Sequence, residues 1–199
     1  DPIQEFVRGA SDVSKSVNAE YVGGDLDGHT ERTIASTAIG TTDAPVYRSG
    51  AKPGEVLCVT GSLGRSASAI RLFESGETTQ ANQLFQFPPR ISTGKFLGNY
   101  ASAMMDSSDG LARSVHQLAE ASACGFSIEQ ERLPIDDSVY QVADSTEDIL
   151  ELGVFFGEDF ELIFTVPDDK FQIVEENAPV RVTKIGRVTE TGITMDDDS

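Results

Sequence analysis

The chain has 199 residues, 39% of them hydrophobic, with 33 acidic against 15 basic side chains and a formal net charge of −18. That length and apolar fraction suffice for a buried core, as one domain or as one domain and part of another. The charge excludes nucleic acid and anionic membrane as partners, because both would be repelled, and it suits a cytoplasmic, halophilic setting in which salt screens the self-repulsion.

A free nucleotide would be repelled as well, so any nucleotide must arrive with bridging metal ions. No stretch approaches the roughly 18 apolar residues of a membrane span, and no signal-peptide pattern is present. Cys58 and Cys124 lie in apolar contexts without C-x-x-C spacing and read as reduced core residues of an intracellular protein. The first residue is Asp1 rather than Met, which points to a fragment or a processed form.

In chain order, the Gly-rich "VGGDLDGHTE" (22–31) reads as a functional loop or tight hairpin, and "TIASTAIGTT" (33–42) as a strand entering a turn. A boundary is expected near residues 43–50. "GAKPGE" (50–55) carries Pro-Gly at the central places of a type II turn. "EVLCVTG" (55–61) is a short buried strand, and "GSLGRSASAIRLFESG" (61–76) a Gly-rich turn opening a helix that Gly76 ends. Another helix is expected to begin near Pro89.

A strand over 101–105 hands over to a helix over 109–122, with Leu111, Val115, Leu118 and Ala119 on one face and Gly125 as its end. "FSIEQERLPI" returns as a strand, and residues 136–150 are weakly helical. "GEDFELIFTV" (157–166) is a turn followed by alternation, with Phe160, Leu162, Phe164 and Val166 on one face and Glu161, Ile163 and Thr165 on the other. "VRVTKIGRVTETGITM" (180–195) reads as short strands. The irregular mixture, without repeats, gives an α+β (mixed α/β) class.

The chemistry concentrates in "AMMDSSDGLARSV" (103–115). A carboxylate at a strand's end (Asp106) and another in the first helical turn (Asp109) converge on one small volume. The helix N-terminus there favours phosphate oxygens. Oxygen-only ligands suit Mg²⁺, which takes one or two carboxylates plus substrate phosphates. Ser108 can donate to a phosphate oxygen or simply cap the helix. Asp25 sits where glycines let backbone approach a ligand, although "GGD" also fits an ordinary turn. Arg48 can grip a phosphate or stand solvated, and Glu158 with Asp159 can be unremarkable turn acids. "GSLGRS" lacks the G-K-[ST] of a P-loop, so Gly61 and Gly64 read as tight helix-on-sheet packing. No Ser-His-Asp or Cys-His arrangement is legible.

Taken in order, "GGD", "RSGAKPGEVLCVTGSLGRSA", "PPR", "MDSSDGL", "CG…LPI" and "GEDFELIFTV" resemble the second part of the thiamine-monophosphate kinase family, within the aminoimidazole ribonucleotide synthetase superfamily. The resemblance implies residues 1–45 as the tail of an N-terminal nucleotide-binding and dimerisation domain and residues 46–199 as a PurM-like C-terminal α+β domain. It implies Mg²⁺-dependent transfer of the ATP γ-phosphate to thiamine monophosphate, giving thiamine diphosphate, in a homodimeric full-length protein. Gly24, Asp25, Arg48 and Ser108 would meet the nucleotide. Asp25, Asp106 and Asp109 would ligate Mg²⁺, Glu158 would contact the thiamine side, and no residue would act as a covalent catalyst. The family's N-terminal aspartate-rich elements and its C-terminal aromatic motif are not in this sequence, and Ser107 replaces the usual Leu or Ile, so the chain is expected to be a C-terminal part with an incomplete site. The alternatives are another ATP-dependent member of the superfamily with a different acceptor, and a non-catalytic binding or scaffold module of the same fold.

Overall fold

The computed structural model describes residues 2–196, and the chain divides into two compact units, Asp1–Pro45 and Val46–Ser199. In the first unit, helix α1 (Pro2–Ser16) places proline where its missing N–H costs nothing. Its apolar residues Ile3, Phe6, Val7 and Val13 are exposed. Residues 17–45 form neither helix nor strand. The strand expected over 33–42 is therefore absent: Ile34 and Ile39 are exposed, and no neighbouring strand supplies the partners that an extended backbone needs. The "GGDLDG" segment is built from local contacts, the Asp25 carboxylate accepting the Leu26 N–H and Asp27 that of Gly28.

The second unit is a six-stranded sheet with helices on both faces. Its strands are β1 (Val56–Thr60), β2 (Ala103–Asp106), β3 (Gly125–Glu129), β4 (Leu162–Val166), β5 (Val182–Thr189) and β6 (Ile193–Asp196). They lie in the order β2-β4-β1-β5-β3-β6, with antiparallel pairs throughout except for the parallel β3–β6 pair. Strand β1 is buried along its whole length. It lies at the sheet's centre with both faces covered, which is why its sequence is continuously apolar rather than alternating.

Helix α5 (Leu111–Ser122) covers one face, burying the expected stripe of Leu111, Val115, Leu118 and Ala119 against Leu57, Val59, Ile163 and Ile185. Full burial of each large member of that stripe stabilises by about 1.5–3 kcal/mol. On the other face, α4 (Ile91–Leu97) and α8 (Asp168–Asn177) set Leu97 and Val174 on Val56, Cys58, Phe164 and Val166. Strand β4 thus divides its side chains between the faces as its alternation implies. Helices α2 (Arg65–Glu74), α6 (Val139–Val142) and a π-helical turn at Glu151–Phe155 enclose a third cluster of Ala67, Val139 and Leu152. Helices α3 (Thr78–Leu84) and α7 (Thr146–Leu150) complete the unit.

Cys58 and Cys124 are both free thiols, and burial pushes the Cys58 thiol far above its ordinary range. No helix among the described residues is long and apolar enough to cross a membrane.

Two expected boundaries move. Helix α5 ends at Ala123, in left-handed backbone with φ 51°, and the Cys124 N–H closes the last turn on the Ala119 carbonyl at 3.1 Å. Gly125 instead opens β3, where a Cβ would stand 2.2 Å from the Gly192 carbonyl oxygen. The helix also starts later than expected, at Leu111, for a reason that belongs to the site.

Candidate active site

Edge strand β2 carries the chain to Asp106, its last residue, opposite Leu162 of β4. The next residues turn under backbone control. The Ser107 N–H donates to the Glu161 carbonyl, and the Glu158 N–H donates to the Ser108 carbonyl, both at 2.8 Å. Gly110 and Gly157 both have φ of 88°. A Cβ on Gly157 would lie 2.5 Å from Gly110 N and Ser108 O, and one on Gly110 would lie 2.8 Å from the Phe155 carbonyl oxygen. The 106–110 and 155–158 turns therefore interlock backbone to backbone, at a distance that only glycine permits.

Glu158 itself adopts φ 60°, a left-handed conformation costing a non-glycine residue roughly 1–2 kcal/mol. It is held there from both sides, its N–H on Ser108 and its carbonyl accepting from the Ser66 hydroxyl at 2.6 Å. Strain maintained by surrounding structure is typical of functional turns.

This interlock corrects the placement of Asp109. Gly110 caps α5 with an extended, positive-φ backbone and no side-chain cap, so Asp109 stands ahead of the helix rather than in its first turn. Neither Ser108 nor Asp109 caps α5, and the capping alternative is not what these residues do. The Asp109 side chain is 59% exposed, with Arg113 Nε 3.2 Å away, a surface pair worth about 0–1 kcal/mol. The Ser108 hydroxyl has no protein partner among the described residues. Ser107 is buried, and its hydroxyl is an orphan. This is the position where the resemblance expects Leu or Ile.

Arg48 and Asp106 line one open groove of about 490 Å³, together with Tyr47 and Met104. The segment carrying Arg48 is fixed by Ser122, whose hydroxyl donates to the Arg48 carbonyl and accepts from the Gly50 and Ala51 N–H groups. The structure thus brings Arg48 to Asp106, and Ser108 and Asp109 to Glu158. Gly24 and Asp25 belong to the other unit. No group of three or more potential ligands is gathered closely enough to hold a metal by itself among the described residues. Two oxygen donors with no buried partner, Asp106 and Asp109, do match the one or two carboxylates that Mg²⁺ takes beside substrate phosphates.

A second set of ionised residues beside this turn escaped the sequence reading. Glu161 is buried and gripped bidentately by Arg90, at 2.7 and 2.6 Å, and it accepts the Thr60 hydroxyl at 2.5 Å. A Cβ on Gly61 would lie 2.0 Å from the Glu161 carboxylate. Gly61 is therefore glycine to admit a buried acid, not for helix packing, whereas Gly64 does face Val139 and Gly153 closely. Asp159 accepts the Gly64 and Ser66 N–H groups at 2.6 and 3.0 Å, capping α2 from a distant part of the chain. Burial pushes its carboxyl up to about 6 despite those two bonds, with Glu161 and Asp136 adding to the rise. The only signals for this set were acids alternating with buried apolar residues in "GEDFEL" and an arginine after "PP".

Residues 52–197 match the family described as AIR synthase related protein, C-terminal domain. The chain is 51% identical to a thiamine-monophosphate kinase of Halobacterium salinarum, over all of this chain and 69% of that protein. A solved structure from Thermus thermophilus superposes with a TM-score of 0.80 at 28% identity, covering 97% of this chain and 65% of the other. The structure of AaThiL complexed with AMPPCP and TMP gives a TM-score of 0.65 at 31% identity, over 76% of this chain and 50% of that one. The chain thus spans between half and about two thirds of the length of these relatives.

Proposed function

The chain belongs to the AIR synthase related family and, within it, to the thiamine-monophosphate kinases, and from that premise we propose that it is the C-terminal part of an ATP-dependent kinase making thiamine diphosphate from thiamine monophosphate. In-line phosphoryl transfer needs positioning and charge neutralisation rather than a covalent nucleophile. The observation that carries the reading is the interlocked turn pair, which leaves Asp106, Ser108, Asp109 and Glu158 without buried partners on a backbone fixed by hydrogen bonds.

In this reading Asp106 and Asp109 ligate Mg²⁺, Ser108 and Arg48 meet phosphate oxygens, and Glu158 faces the thiamine side. The family resemblance assigns Asp25 to the metal and Gly24 to the nucleotide, in residues 1–45 as the remnant of an N-terminal domain. Bound Mg²⁺ supplies neutralisation of the charge on the transferring phosphoryl group. The residues of this chain orient that group and hold the acceptor's direction of approach. A relative bound to an ATP analogue and TMP supports the substrate pair. The acidic composition supports a cytoplasmic, high-salt setting with small molecules rather than nucleic acid or membrane as partners, and the family resemblance supports a homodimer for the full-length protein.

The test is an assay of the full-length protein with ATP, Mg²⁺ and thiamine monophosphate at high salt, following thiamine diphosphate. Product formation is expected. Turnover only with a different phosphate acceptor would overturn the substrate assignment, and absence of any transfer would overturn the kinase reading for this protein.

A further inference from the structure

Below the interlocked turns lies a cavity of about 240 Å³, formed within the second unit and separate from the Asp106 groove. In a chain of net charge −18, Arg65, Arg90 and Arg181 all line it, with Phe87. The two acids in its wall have committed their oxygens elsewhere. Asp159 accepts the N–H groups of Gly64 and Ser66, and Glu161 holds the fork of Arg90 and the Thr60 hydroxyl.

The guanidiniums are less fully committed. Arg90 uses Nε and Nη2 on Glu161, which leaves Nη1. Arg65 spends Nε and Nη2 on the neutral carbonyls of residues 83, 84 and 86 and its charge also acts on the Asp136 carboxylate, which leaves Nη1 for a ligand. The Arg181 guanidinium is exposed and has no hydrogen-bond or ion-pair partner among the described residues. One rim is flat and apolar, with Phe87 stacked on Phe160 at 5.5 Å between centroids and 26° between planes.

We propose that this cavity is a second ligand site, taking a phosphate monoester that carries a small planar ring. Arg181 and the unspent edges of Arg65 and Arg90 receive the phosphoryl oxygens, and Phe87 receives the ring. Guanidinium donors pair with phosphoryl oxygens in planar, charge-assisted bonds. A cavity of this volume holds several waters, enough for a phosphoryl group and one ring. The site needs no metal, which separates it from the acidic turn above it.

Isothermal titration calorimetry of the 199-residue chain, at fixed ionic strength and without Mg²⁺, tests this with inorganic phosphate and phenyl phosphate as probes. One saturable site is expected, with phenyl phosphate binding more tightly than phosphate. Arg181→Ala should weaken both at least tenfold, Arg181→Lys should recover part of the loss, and Phe87→Ala should abolish the preference for phenyl phosphate. Asp109→Asn should change nothing. No saturable binding, equal affinity in Arg181→Ala, or loss of binding in Asp109→Asn would each overturn the proposal.

Discussion

Glu158 and Asp159 are neighbours in sequence, yet Glu158 is exposed in a held left-handed turn and Asp159 is buried under a helix end. Glu161, two residues on, is buried as well, with its oxygens taken by Arg90 and Thr60. Across the interlock, Asp106 and Asp109 resemble Glu158: their backbone is fixed, while their carboxylates meet at most a surface arginine. The difference is one of spent against unspent acceptor capacity. A buried carboxylate already held by several donors has less acceptor capacity left for a cation than an open one, so acids that build the fold and acids that face substrates are told apart by what already occupies their oxygens.

The largest effect that sharpens this contrast is expected from Glu161→Ala. It strands a mostly buried guanidinium, with Arg90 only 15% exposed, and removal of one partner of a buried pair costs about 3–5 kcal/mol. Urea denaturation measures it, and a loss below about 1 kcal/mol would mean that the cluster is not structural. Asp109→Asn should do the reverse. Its urea midpoint should match wild type, whereas thiamine diphosphate formation by the full-length protein should fall at least ~10²-fold, the scale for removing one electrostatic contact to a reacting group.

Asp159→Asn probes the buried set through pH. With its carboxyl raised to about 6 from an unfolded value of about 3.9, the folded state binds that proton more tightly than the unfolded chain. The stability from the protonated form is full below pH ~4 and lost as pH rises through ~6, on the order of 3 kcal/mol. Wild type should therefore lose stability relative to Asp159→Asn between those values, and parallel curves would contradict the assignment. The smallest effect is Ser107→Ala. It removes a buried, unpartnered hydroxyl and should raise stability by about 1 kcal/mol, read from the same urea midpoints.

What the sequence made legible follows from how local each cause is. The α5 stripe and the β4 alternation stand in the order of the residues themselves, and both occur with the expected faces. The strand over 33–42 failed because its apolar residues meet no pairing strand among the described residues. Helices α3 and α8 had no assigned pattern: Thr78–Leu84 buries only Ala81 and Asp168–Asn177 only Val174, too little to set a period. That Asp106 and Asp109 share one short turn was readable because they are three apart in the chain. Their junction with Glu158 came from resemblance alone, since backbone contacts across some 50 residues leave no local trace. The Arg90–Glu161 pair was missed for the same reason, 71 residues separating its members.

The contrast between open and saturated acids is tested most directly by Mn²⁺ titration of the ¹⁵N-labelled chain in the presence of AMPPCP, read as paramagnetic broadening of amide signals. Broadening should begin at residues 106–110 and 157–158 and reach β1 and Arg90 only at higher metal concentration. Broadening centred on Thr60, Arg90 and Glu161, or none at 106–110, would contradict the account.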